Sequence, residues 1–368
     1  MSFAFGYTMP LLAIALKSAG ASQTQIGISA SAPSFAIILT GLASRRFISY
    51  IGFKNILFLS MVVLCSGIAI LFITKNLYVW FFTRAAIGAI NGMLWITLES
   101  SLNNLTPEKS KGQIFAFYAS ATALAFACGS LIPISLEKSA SPFLVAAILL
   151  SFGTGMCFFV QAPRTLSSRT SFKDIFLSMT SIATEGTMAF AAGLLVSMQI
   201  TLLPTFNFIE SNMMHGKNIL SLTLFGGVSA QILMGSISDH WNNCRITLPF
   251  SLIGIGVSII IIPTFYKYVN PNISYFLWGG LSNSLYILAL IKVGIKKTGN
   301  EIFIFNAALL ITYEMGSLTG PITGGFLSDQ FGQTALAIIS SLTFGVITVI
   351  SIPSFKRSFL KSEIRPEF

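Results

Sequence analysis

Apolar runs of about 18 to 23 residues follow one another along almost the whole chain, each long enough to cross the hydrocarbon core of a bilayer as a helix. A soluble fold does not use such runs, because its elements must turn one face to water. Charge agrees: only 9% of the 368 residues are Asp, Glu, Lys or Arg, against roughly 25% in soluble proteins. The runs lack the every-second-residue alternation of an outer-membrane barrel, so helices are expected rather than strands.

Helices are predicted over 2–18, 26–44, 54–74, 77–98, 113–136, 141–160, 182–204, 217–237, 246–266, 272–294, 302–325 and 333–353. Six lie on each side of a basic, Ser-rich break from Ala162 to Thr170. The expected architecture is therefore an all-α membrane protein of about twelve transmembrane helices in two six-helix bundles, 1–160 and 182–353. A cytoplasmic linker over 161–181 joins them, and 354–368 forms a tail. Pro10 and Gly41 in the first half match Pro204 and Gly235 in the second at one common offset. That is the trace of a parallel repeat, and it makes the two bundles pseudo-symmetric. Met1 falls where the first apolar run has already begun, which suggests a truncated first helix or an upstream start.

The formal net charge of +10 does not point to nucleic acid, because no segment gathers bases and aromatics into a groove-reading element. One set of alternating connections, with the tail, holds Arg45, Arg46, Lys54, Lys109, Lys111, Arg164, Arg169, Lys173, Arg245, Lys292, Lys296, Lys297, Lys356, Arg357, Lys361 and Arg365. The other set holds Lys17, Lys75, Lys138, Lys217 and Lys267. By the positive-inside rule the first set and the C-terminus are cytoplasmic. Cys65, Cys128, Cys157 and Cys244 have no paired spacing, and His215 and His240 are isolated. No disulfide framework, metal site, cofactor or catalytic residue is expected, and no cleavable signal peptide precedes the first span.

Four local patterns carry a resemblance. After the eighth span come Gly235, Asp239 and Arg245; after the second come Gly41, Arg45 and Arg46, with Arg at the position that Asp holds in the later copy. The fourth span carries Arg84, Gly88, Asn91 and Gly92, and the eleventh carries Gly316, Gly320, Pro321, Gly324 and Gly325. With these patterns and a six-plus-six order, the chain resembles the major facilitator superfamily. The resemblance implies a carrier whose halves rock around a central site. It also implies a cytoplasmic latch at Gly41, Arg45, Gly235, Asp239 and Arg245. Leu98-Glu99-Ser100, Lys111-Gly112-Gln113, Tyr118 and the stretch from Asn306 to Tyr313 resemble a poorly characterised bacterial twelve-helix branch of that superfamily, which brings no substrate. The antiporter-like glycine pattern, a fifth-span feature in the family, sits here on the eleventh.

Arg84 lies about seven residues into its span, roughly 10 Å from the outer end. Gly88, Asn91, Gly92 and Trp95 fall within about 80° of it on the helix. Intramembrane charge is costly and usually faces a cavity or partner. Arg84 is therefore read either as a solute-binding or proton-coupling group, or as a structural donor to neighbouring helices. Glu314, about twelve residues into its span and near the midplane, is a candidate proton carrier, because low dielectric favours a neutral carboxyl. Its alternative is a protonated side chain bonded to a Ser or a carbonyl. Glu99, roughly 22 Å from Arg84 along the axis, reads as a gate residue or as a solvated helix-end charge. Glu185 starts its helix, where a carboxylate is favourable. Asn283, Tyr286, Asn306 and Tyr313 are candidate cavity-lining groups. Gly88, Gly92, Gly316, Gly320, Gly324 and Gly325 are candidate packing surfaces.

The leading function is a secondary transporter that moves a small solute across a bacterial inner membrane, with protons as an optional second partner. It is expected to act as a monomer in the lipid bilayer. No nucleotide-binding Gly-Lys-Ser/Thr loop is present. Alternatives are a non-transporting or decayed carrier and, with less support, a membrane-embedded enzyme.

Overall fold

The computed structural model describes residues 2–74, 76–105, 111–132, 148, 150, 172–206, 213–240, 243–296 and 300–364. Its helices are α1 (Ser2–Ser18), α2 (Gln23–Ile51), α3 (Phe53–Ile73), α4 (Leu77–Leu105), α5 (Lys111–Ser130), α6 (Phe172–Ser181), α7 (Ala183–Leu202), α8 (Met213–His240), α9 (Asn243–Ile260), α10 (Pro271–Lys296), α11 (Asn300–Phe331) and α12 (Thr334–Ile364). Short 3-10 turns follow α7 at Leu203–Thr205 and α9 at Pro263–Lys267. No strand occurs among the described residues. The span predicted over 141–160 and most of the predicted linker lie outside them.

Several boundaries differ from the sequence reading. Helix α2 continues to Ile51, so Gly41, Arg45 and Arg46 are inside a helix rather than after one. The chain then reverses at Gly52, whose φ of 84° suits a residue without a Cβ, and α3 begins at once. Ten residues of the expected linker form α6, whose Phe172, Phe176 and Met179 recur at helical spacing. Helix α12 runs on to Ile364, into the expected tail; its basic last turns favour the negative end of the helix dipole.

Length and composition qualify five helices to cross a membrane among the described residues, over 54–71, 77–95, 183–205, 271–294 and 334–353. Shorter apolar stretches occupy 120–130, 218–234 and 246–260. The remaining helices are diluted by polar residues turned inward, such as Ser29, Ser31 and Ser34 of α2. Buried hydroxyls answer the demand that lipid makes on every polar group by donating back to their own helix: Thr8 to Ala4, Ser31 to Gly27, Ser60 to Ile56 and Ser258 to Gly254, all at 2.6–2.8 Å. Large apolar side chains such as Phe35, Phe82, Ile253, Leu342 and Val349 are exposed, as expected where the solvent is acyl chain.

The chain sorts into two compact units, 1–170 with 200–221, and 171–199 with 222–368. In the first, α1 lies against α5 so closely that a Cβ on Gly6 or Gly129 would overlap the backbone of Phe126 or Phe3. Helix α4 lies against α2 in the same way, Gly88 meeting the backbone of Pro33. The second unit repeats both pairings six spans later. Gly193 and Gly316 bring α7 onto α11, and Gly226 and Gly279 bring α8 onto α10. Small residues at such crossings let helices associate in lipid by backbone contact.

Trp278 and Ser340 lock α10 to α12: both are fully buried, and the indole Nε1 donates to the hydroxyl at 3.1 Å. Replacing Ser340 with Ala leaves that indole N–H dry and unpaired. The expected loss is about 1–3 kcal/mol, read as a lower melting temperature that Ser340→Thr largely restores.

Candidate functional site

The site in the first unit begins with the α2–α4 crossing. Because Gly88 lets α4 sit on Pro33, the residues one turn earlier on each helix, Arg84 and Ser29, come within reach. Arg84 is 5% exposed. Its Nη1 donates to Ser29 Oγ at 3.2 Å, and its Nη2 points at the Met9 sulfur at 3.9 Å. Its Nε is buried and has no acceptor. A cavity of about 10 Å³ borders the guanidinium, walled by Phe5, Thr8, Leu12, Ile68, Leu71 and Ile87. That volume holds at most one water.

Two turns further along α4, Asn91 also keeps a buried Oδ1 without a partner. Trp95 stacks edge-to-face on Tyr118 of α5, with centroids 6.0 Å apart. Gly92 meets Ile37 and Thr40 of α2. Of the stripe read from the sequence, Gly88 and Gly92 face α2, while Arg84 Nε and Asn91 Oδ1 are left without a partner.

A second polar group of residues belongs to the second unit. Tyr286 of α10 and Tyr313 of α11 meet edge-to-face at 5.1 Å. Glu314, half-buried, follows Tyr313 on α11. Asn283 donates to the Gly279 carbonyl at 2.9 Å and covers Gly227. Ser317 donates to the Gly193 carbonyl at 3.4 Å. Gly316 and Gly320 abut the backbones of Phe190 and Leu194, and Gly324 and Gly325 are buried. Asn306, by contrast, is exposed on α11.

The expected latch residues have helical backbones: Gly41 and Arg45 in α2, Gly235 and Asp239 in α8, Arg245 in α9, and Glu99 in α4. Their side chains lie outside the described residues. Two residues escaped the sequence reading. Gln199 of α7 is fully buried, donates to Ser282 at 2.8 Å and leaves Oε1 unpaired; a glutamine inside an apolar span was the available signal. Lys292, counted with the cytoplasmic connections, is instead buried in α10 with its Nζ 3.8 Å from the Met188 sulfur. Glu185 occupies the first turn of α7 as expected but is 2% exposed rather than facing the interface.

Residues 1–302 match the Major Facilitator Superfamily. The chain belongs to that superfamily. Among its relatives is an uncharacterized MFS-type transporter of Bacillus subtilis, YfkF, 21% identical over 98% of this chain and 94% of its own. Another is the uncharacterized MFS-type transporter YcaD of Escherichia fergusonii, 21% identical over 83% of this chain and 80% of its own. Among solved structures, a mutant of the nucleoside transporter NupG superposes with a TM-score of 0.75 at 12% identity, covering 96% of this chain and 97% of its own. The fold is therefore the twelve-helix MFS fold, and this member of the superfamily is a multi-pass membrane transporter.

Proposed function

We propose that the protein is a secondary active transporter, not an enzyme, that carries a small solute across the bacterial inner membrane by alternating access. In this reading 1–160 and 182–353 are the two moving halves, 161–181 connects them, and the C-terminus is cytoplasmic. Arg84 carries the reading: a guanidinium sunk among α1, α2 and α4 with an unpaired Nε is costly to a purely structural protein. Asn91, with its open Oδ1, and Trp95 extend the solute path along α4. Within the second unit, Asn283, Asn306, Tyr313 and Glu314 are the proposed groups of the solute or proton pathway. Gly41, Arg45, Glu99, Gly235, Asp239 and Arg245 act as the cytoplasmic gate. Monomers suffice, and the cargo is the main partner besides lipid.

The test is exchange. Proteoliposomes loaded with a bacterial metabolite extract are diluted into buffer containing isotope-labelled extract, and the lumen is analysed by mass spectrometry. One chemical class is expected to equilibrate in vesicles with protein and not in empty ones; no exchange in any class contradicts the proposal.

Glu314 is proposed as the proton site, since it is the half-buried carboxyl beside the Tyr286–Tyr313 pair. Glu314→Gln is expected to leave solute exchange within about threefold of wild type while abolishing the stimulation of uptake by a pH gradient. Unchanged gradient dependence removes the proton role.

A further inference from the structure

We infer that the cargo is a monoanion with an apolar body, held through a carboxylate by the Nε and Nη2 edge of Arg84. This rests on the transport reading above and adds the chemistry of the solute to it.

The argument begins with missing charge. Before residue 171 the only carboxylates are Glu99, Glu108 and Glu137. Glu99 is roughly 22 Å further along α4. Among the described residues no carboxylate pairs with Arg84. A buried guanidinium is normally paired, because desolvation otherwise costs several kcal/mol. Here its partners are one hydroxyl and one thioether.

The geometry of the vacancy gives the shape of the missing group. Nη1 is engaged by Ser29, so one side of the guanidinium is fixed. The opposite edge, Nε with Nη2, presents two parallel N–H groups, the fork that a carboxylate accepts in bidentate fashion. Nε has no acceptor at all, and Nη2 has only Met9 sulfur at 3.9 Å, a weak acceptor on a flexible side chain. Met9 therefore acts as a removable plug. The adjoining cavity of about 10 Å³, which Met9 helps to line, is too small for an organic acid, so binding requires the Met9 thioether to swing aside.

The walls then limit the rest of the molecule. Phe5, Leu12, Ile68, Leu71 and Ile87 offer apolar surface and no second cation. A dianion would leave one charge unmatched, and an amine would face the guanidinium with like charge. An apolar monocarboxylate satisfies both the fork and the walls.

The purified protein is heated with butyrate, hexanoate or benzoate, and separately with butyramide, hexanamide or benzamide, at fixed pH and ionic strength. At least one acid is expected to raise the melting midpoint by about 2–5 °C at concentrations where its amide shifts it by less than about 1 °C. Arg84→Gln should abolish that difference. Arg84→Lys, which keeps the charge and loses the fork, should weaken apparent affinity about tenfold. Met9→Leu, which removes the competing sulfur, should strengthen it or leave it unchanged. No acid-selective shift in the wild type, or an equal shift in Arg84→Gln, overturns the inference. If Arg84→Gln does not fold, wild-type affinity in Arg84→Lys overturns it instead. Exchange of neutral solutes by vesicles whose protein shows no acid-selective shift keeps the transport reading and overturns the anion. Acid-selective stabilisation with no solute movement does the reverse.

Discussion

Arg84→Gln is expected to cut solute exchange about a hundredfold while leaving the melting temperature within about 3 °C of wild type, or above it. The two effects separate because Arg84 gives the fold little. It makes one bond to Ser29, of the order of 1–2 kcal/mol, and a weak contact to Met9, yet it holds a charge in low dielectric at a cost of several kcal/mol. Removing the charge returns at least what the bond supplied. For transport the balance runs the other way, since losing a charge-assisted two-point contact of about 3 kcal/mol corresponds to two powers of ten. Melting curves and exchange rates on the same preparation check this. A large fall in stability with proportionate loss of exchange would make Arg84 a structural donor between helices.

The opposite dissociation is expected at the α7–α11 crossing. A Cβ on Gly316 would overlap the carbonyl oxygen of Phe190 and crowd the amide of Leu194, both backbone atoms that no rotamer change can move. Gly316→Leu must therefore push the helices apart, which also opens the contacts of Gly193 with Tyr313 and of Gly320 with Leu194. The expected cost is about 3 kcal/mol or more, seen as a fall of roughly 10 °C in melting temperature or as loss of folded protein. Gly345 of α12 is the control, because a Cβ there meets nothing within 4 Å. Gly345→Leu should be neutral or slightly stabilising, by up to about 0.8 kcal/mol from helix propensity. Equal behaviour of the two variants would mean that the close α7–α11 approach is not what the glycines serve.

Much of this was legible in the sequence because lipid imposes length and helicity on every span, and the spans state themselves as apolar runs. The ends were less so. Helix α2 outlasts its apolar run to Ile51 because the backbone hydrogen bonds of a helix do not require apolar side chains. Arg84 stood out as a charge inside a span, but its partners did not: Ser29 and Met9 lie on other helices, and it is the contact of Gly88 with Pro33 that brings Ser29 near. Lys292 was misassigned for a related reason. Charge alone suggested a connection, whereas α10 continues to Lys296 and buries it. Asn306 shows the limit of helical spacing, which groups residues on a face without saying what that face meets; the side chain is exposed.

Alternating access is tested most directly at Asn91 of α4, whose Oδ1 is buried without a partner. In a background with the 4 native cysteines replaced, Asn91→Cys is labelled in proteoliposomes with a membrane-impermeant thiol reagent supplied at one face or at the other. Alternating access predicts that the thiol reacts with reagent from either face. Reaction from one face alone, in a protein that still exchanges solute, would contradict it.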